Sequence, residues 1–185
     1  MTRFWEDIEV NVTFPLGEHQ FTAEEIIDFG KRYDPQYFHT DPEAARFSHF
    51  GSLVASGWHT IAVGHRKMVD ALYAEAERLK SLGAEPGLSG PSPGINFMQF
   101  KHPVRPGDTL TYSMVVASKR PSRSLPGWGI LFNHLQATNQ NGVLVYRGEV
   151  VGFTKMRHTP LGARIAMTLS KLPGLGWIAG RRNGQ

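Results

Sequence analysis

The chain has 185 residues, is 41% hydrophobic and 19% charged, and carries a net charge of +4. That length and balance fit one globular domain able to bury most of its apolar surface. The absence of cysteine excludes a disulfide framework, a Cys-based zinc site and a thiol nucleophile.

No segment approaches the roughly 20 consecutive apolar residues of a membrane-spanning helix. The start, Met1-Thr2-Arg3-Phe4-Trp5-Glu6-Asp7, lacks the basic residues and apolar run of a secretory signal, so a cytoplasmic location is expected. From Lys155 onward there are six basic residues and no acidic one, which leaves the rest of the chain at −2. The expected organisation is therefore one domain over residues 1–157 and a basic, Gly-rich tail over 158–185. Such a tail is either solvated or reaches an anionic partner. No nucleic-acid-binding module is recognisable, and nucleic acid is not an expected partner.

Along the chain, Ile8, Val10, Val12 and Phe14 alternate with polar residues and predict a strand that Pro15-Leu16-Gly17 ends. Thr22 and Glu25 form a capping-box signature for a helix carrying Ile26, Ile27 and Phe29. Asp41-Pro42 starts a short helix, with Asp as cap and Pro in the first turn. Residues 53–82 contain no proline and repeat apolar side chains at three-to-four spacing, which predicts a long helix buried at its N-terminal end. Residues 83–93, rich in Gly, Pro and Ser, read as a loop. Four strand-like runs follow, over 95–102, 109–119, 129–139 and 143–155, and Asn141-Gly142 marks a hairpin. A short helix around 163–172 is expected in the tail. The order predicts an α+β fold, a curved antiparallel sheet wrapped around a long central helix.

The chemistry concentrates in Tyr33-Asp34-Pro35-Gln36-Tyr37-Phe38-His39 and in Ser56-Gly57-Trp58 downstream. A carboxylate and an imidazole five residues apart in a Pro-bent segment can hold one water and pass protons both ways. A Ser-Gly opening a long helix offers a free backbone N–H and the helix dipole to an oxyanion. Each residue also has a plainer role: Asp34 as a turn cap, His39 as a buried core histidine, Ser56 as an N-cap. His59 and His65 lie six apart, off the shared helix face that two metal ligands need. No metal site is expected. The loop Lys119-Arg120-Pro121-Ser122-Arg123-Ser124 is either a solvated hairpin end or a contact for phosphates.

Asp34 and His39 at this spacing, the run Phe50-Gly51-Ser52-Leu53-Val54-Ala55-Ser56-Gly57-Trp58 and the segment Val104-Arg105-Pro106-Gly107-Asp108-Thr109-Leu110 resemble the MaoC-like hydratase/dehydratase branch of the hotdog superfamily, which includes the (R)-specific enoyl-CoA hydratases. Gln36 and Tyr37 stand where that family commonly has Asn and Pro. The resemblance implies a hotdog fold and a homodimer or higher homo-oligomer. It implies a hydro-lyase interconverting trans-2-enoyl and (R)-3-hydroxyacyl thioesters of CoA or an acyl carrier protein, without metal or redox cofactor. Asp34 and His39 would be catalytic, and Gly57 and Ser56 would serve the oxyanion and substrate. Trp58, Phe97 and Phe100 are candidates to shape an acyl pocket. A hotdog thioesterase is one alternative, although residues 53–69 hold no acid. A non-catalytic acyl-CoA-binding or regulatory protein is another.

Overall fold

In the computed structural model, residues 3–158 are described. The expected tail lies outside them save for His158, as does the helix expected over 163–172. Strands β1 (Thr13–Gln20), β2 (Gly94–Phe100), β3 (Thr109–Pro121), β4 (Trp128–Asn139) and β5 (Leu144–Lys155) form one sheet in the order β1-β3-β4-β5-β2. Every neighbouring pair is antiparallel. Between β1 and β2 run α1 (Ala23–Tyr33), α2 (Tyr37–Thr40), α3 (Pro42–Ala45) and α4 (Gly57–Ser81). This is the α+β hotdog arrangement, an antiparallel sheet packed on one long helix.

The helix reaches the sheet because α4 is small where the sheet is large. A β-carbon at Gly64 would lie 2.8 Å from the Tyr112 ring and 3.5 Å from a Leu135 methyl. The Tyr112 hydroxyl donates to the Thr60 carbonyl at 2.9 Å, which pairs the polar end of a fully buried ring. Around this contact the inward residues of β3, β4 and β5, among them Leu110, Met114, Ala137 and Tyr146, close the core with Phe21 and Ile26. Complete burial of each large side chain contributes roughly 1.5–3 kcal/mol.

The strand expected over 8–14 begins later, at Thr13. Asn11 adopts φ 60° and its N–H donates to the Val116 carbonyl at 2.9 Å. That left-handed residue breaks the alternation, so Ile8 is buried while Val10 and Val12 are exposed. Pro15-Leu16-Gly17 does not end the strand either. It sits within β1, where the register shifts between Pro15 and Gly17, a bulge on an edge strand where a missing N–H does no harm.

The long helix starts at Gly57, four residues after the expected position, because Ser56 caps it by accepting from the Trp58 N–H at 3.2 Å. Leu53, Val54 and Ala55 are buried in extended backbone instead. The remaining elements match closely. Thr22 Oγ1 accepts from the Glu25 N–H, and Asp41 Oδ1 accepts from the Glu43 and Ala44 N–H groups. At the β4–β5 hairpin, Asn139 Oδ1 accepts from Asn141 and Val143, and Gly142 takes φ 73°.

Two cations hold the N-terminal segment: Arg157, through Asp7 and the Phe4 ring 4.4 Å away, and Lys119, through backbone carbonyls. Lys119 Nζ donates to the carbonyls of Trp5 at 2.9 Å, Glu6 at 3.2 Å and Ile8 at 2.6 Å, and lies 4.7 Å from the Trp5 ring centre. Lys119→Met keeps the stem but removes these bonds. It is expected to destabilise the protein by about 2 kcal/mol. Hydrogen exchange should show faster labelling of residues 5–9 than of β4.

Candidate active site

Three segments distant in sequence meet at the first turn of α4. Asp34 caps the C-terminus of α1, its N–H donating to the Gly30 carbonyl at 2.9 Å. Pro35 then bends the chain into α2, a single turn that carries His39 and that the sequence patterns above did not reveal. Gly30 lets this turn lie against α1, for a β-carbon there would come within 2.6 Å of the His39 carbonyl oxygen. The extended residues before α4 dock on the same turn, the Val54 N–H donating to the Phe38 carbonyl at 3.0 Å.

Asp34, His39 and Ser56 are thereby brought together. His39 is buried, and its Nδ1 lies 2.7 Å from the Val54 carbonyl oxygen. A carbonyl can only accept, so Nδ1 carries a proton and Nε2 is the ring atom left for chemistry. Nε2 lies 3.4 Å from Asp34 Oδ2. The Ser56 hydroxyl donates to that same Oδ2 at 2.7 Å, and Gln36 Nε2 donates to Oδ1 at 2.9 Å. Burial alone would raise the Asp34 pKa. The Ser56 and Gln36 hydrogen bonds and the nearby imidazole outweigh it and hold the carboxyl below its ordinary 3.8. The pair therefore presents a carboxylate and one free imidazole nitrogen side by side, with Asp34 only partly covered.

Gly57 begins α4 beside this pair, and its N–H makes no hydrogen bond among the described residues. The Phe100 ring packs directly on it, leaving no room for a side chain: a β-carbon at Gly57 would lie 2.6 Å from that ring. Trp58 stands exposed in the same turn. Phe97 does not join them. It lies on the opposite face of the sheet, 6.0 Å from the His134 ring, because β2 alternates its side chains.

Two further residues matter here. Gln36, which departs from the common family pattern, fixes one carboxylate oxygen; its signal was its place between Asp34 and His39. Arg105 ties the loop before α4 to the entry of β3, its backbone N–H donating to Asp108 at 2.7 Å and its guanidinium donating to the Phe50 carbonyl at 2.9 Å and to Ser52. The Arg-Pro-Gly-Asp segment thus serves as a brace. The basic loop is remote: β3 runs nine residues, about 30 Å, from Tyr112 beside α4 to Pro121. Arg120, Arg123 and Ser124 line a small concavity there.

His59 is buried between the rings of Phe29, stacked at 4.5 Å, and Phe21, edge-on at 5.0 Å, and its Nδ1 has no partner among the described residues. No group of three or more metal-ligating side chains occurs among the described residues. Burial pushes the His59 pKa below 6.5. The unfolded chain then binds more protons, so this stability is full above the ordinary value and is lost as pH falls toward the folded one. His59→Phe should flatten the decline in Tm between pH 7 and pH 5 relative to the wild type.

Residues 8–126 match the family described as MaoC like domain. A crystal structure of a MaoC-like dehydratase from Rhodospirillum rubrum superposes with a TM-score of 0.67 at 31% identity, covering 84% of this chain and 98% of that one. The (R)-hydratase from A. caviae, involved in PHA biosynthesis, superposes at 0.51 with 22% identity, covering 82% and 98%. YdeM, an uncharacterized protein of Bacillus subtilis, is 28% identical over 145 residues, 78% of this chain and 94% of its own. The family match spans the whole Asp34–Gly57 region and the brace at Arg105, and the chain belongs to the MaoC-like domain family.

Proposed function

We propose that the protein is a hydro-lyase that adds water to a trans-2-enoyl thioester of CoA or an acyl carrier protein, forming the (R)-3-hydroxyacyl thioester, and catalyses the reverse. The observation that carries this reading is the Asp34 carboxylate 3.4 Å from the free nitrogen of His39, beside an uncommitted helix N-terminus. Family membership and the hydratase-like fold support it.

Water bridging Asp34 and His39 Nε2 loses a proton to the pair as its oxygen attacks the β-carbon. The π electrons move to the thioester oxygen, where the Gly57 N–H and the dipole of α4 stabilise the enolate. A proton then passes from the pair to the α-carbon, which restores the thioester and closes a syn addition. No redox equivalent is consumed, because water plus an enoyl group and a hydroxyacyl group have the same oxidation level. The role of Ser56 is to cap α4 and hold the carboxylate ionised. That role differs from a nucleophile's, since its proton points at Asp34.

Subunit contact fits the same surface. Tyr33, Tyr37, Trp58 and Phe100 are exposed around the site, an apolar patch of the kind that marks an interface, and we read the protein as a homodimer or higher homo-oligomer. No helix among the described residues is long and apolar enough to cross a membrane, and a cytoplasmic location remains our proposal.

Hydration of crotonyl-CoA and longer 2-enoyl-CoAs, followed by loss of enoyl absorbance, tests the function. Wild type should turn over, with Asp34→Asn and His39→Gln each reduced at least about 100-fold in kcat/KM. Thiol release from saturated acyl-CoAs without hydration would identify a thioesterase instead. Removing a donor from the carboxylate raises its pKa, so Ser56→Ala should shift the acidic limb of the kcat/KM profile to higher pH. An unchanged limb would show that Asp34 does not govern it.

A further inference from the structure

A cavity of about 740 Å³ lies between the second half of α4 and the inner face of β3, β4 and β5. Met68 and Val69 of the helix and Val116, Leu131 and Val150 of the sheet supply apolar walls, and the volume suits a small organic ligand. Within the protomer it is separate from Asp34 and His39. Its helical wall begins at His65, just beyond the point where Gly64 seats against the fully buried Tyr112 and Leu135.

One residue on its floor breaks the apolar pattern. Asn133 is only 8% exposed, lies between Leu131 and Leu135 on the inward row of β4, and pairs across the sheet with Val116 and Val150. Its Nδ2 donates to the Val150 carbonyl at 3.2 Å. Turning the amide over would set two acceptors against each other, so the carbonyl fixes the orientation. Oδ1 has no partner among the described residues. It is not one of the enclosed orphan atoms among the described residues, which are Trp5 Nε1, His59 Nδ1 and the Tyr146 hydroxyl; it opens onto the cavity, where a ligand donor can take the place of water.

We propose that this cavity binds an aliphatic chain carrying a hydroxyl group, with the methylenes against Met68, Val69 and Val150 and the hydroxyl donating to Asn133 Oδ1. The ligand must bring a donor, because a ketone or carboxylate at that depth would face the lone pairs of Oδ1. An ammonium would satisfy the acceptor but would have to shed its hydration among apolar walls, because Glu77, the acid of the lining, is exposed and already paired with Lys80 at 2.7 Å. A hydroxyl meets both demands. The site stands apart from the hydro-lyase reading and does not depend on it.

Calorimetric titration of the full chain with decanoic acid and 10-hydroxydecanoic acid tests the proposal. Wild type should bind the hydroxylated acid about 10-fold more tightly, the size of one net hydrogen bond. Asn133→Leu should keep decanoate binding, lose the preference and melt no lower than wild type. Val69→Trp, which fills the cavity from the helix, should abolish binding of both acids. Asp34→Asn should bind like wild type even where turnover is lost, which separates this site from the catalytic pair. Equal wild-type affinities would mean that water holds the acceptor. Absence of binding would mean that the cavity does not retain a ligand. A marked loss of Tm in Asn133→Leu would make the amide structural. Each of these results overturns the proposal.

Discussion

The close approach of α4 to the sheet at Gly64 organises the rest of the molecule. With no side chain at that position, the helix axis sinks until Tyr112 and Leu135 touch the backbone. The Tyr112 hydroxyl then reaches the Thr60 carbonyl and fixes the helix along its length. The N-terminus of α4 is thereby delivered to the edge of the core where α2 carries His39, while its second half lifts from the sheet and leaves space. One steric constraint thus places an uncommitted backbone N–H at one end of the helix and a cavity at the other. A larger residue at Gly64 would force the helix outward and disturb both together.

The polar constellation at the helix start is determined as much by backbone as by side chains. Val54 contributes only its carbonyl to His39, and Gly30 contributes only the absence of a β-carbon, yet these two set which imidazole nitrogen faces Asp34 and how near it comes. Because Ser56 both caps the helix and donates to Asp34, the start of α4 and the position of the carboxylate cannot vary independently. Gln36 closes the remaining side of the carboxylate, so both oxygens are oriented before any water arrives. In the proposed reaction, such prior orientation would lower the reorganisation needed during proton transfer.

Much of this was legible from the residues, and the failures have local causes. The order of strands and helices followed from periodicity, and the capping residues Thr22, Asp41 and Ser56 identified real helix starts. Asn11 defeated the reading of residues 8–14, because a left-handed residue leaves no trace in an alternating pattern. Residues 53–55 are apolar enough for either a helix or a buried extended segment, and only docking on Phe38 and Val104 decides between them. The α2 turn is too short for periodicity to register. Phe97 and Phe100 looked equivalent in sequence, yet the register of β2 on β5 sends them to opposite faces. Asp34, His39 and Ser56 were adjacent in chemical logic, but the Val54 and Gln36 contacts that orient them needed coordinates.

The two free edges of the sheet differ in a way that bears on how copies of the chain can join. On β1, Pro15 interrupts the outward row of donors and the bulge before Gly17 twists the strand away. On β2, residues 94–100 contain no proline, and beyond an irregularity between Ile95 and Phe97 the strand runs in regular register to Phe100 at the edge of the sheet. Extension of the sheet is therefore polarised, favourable at one margin and frustrated at the other. Two copies meeting margin to margin about a two-fold axis would consume the receptive edge of each and leave only the unreceptive ones outside. Geometry of that kind makes a pair self-limiting and denies the sheet a route to indefinite fibres.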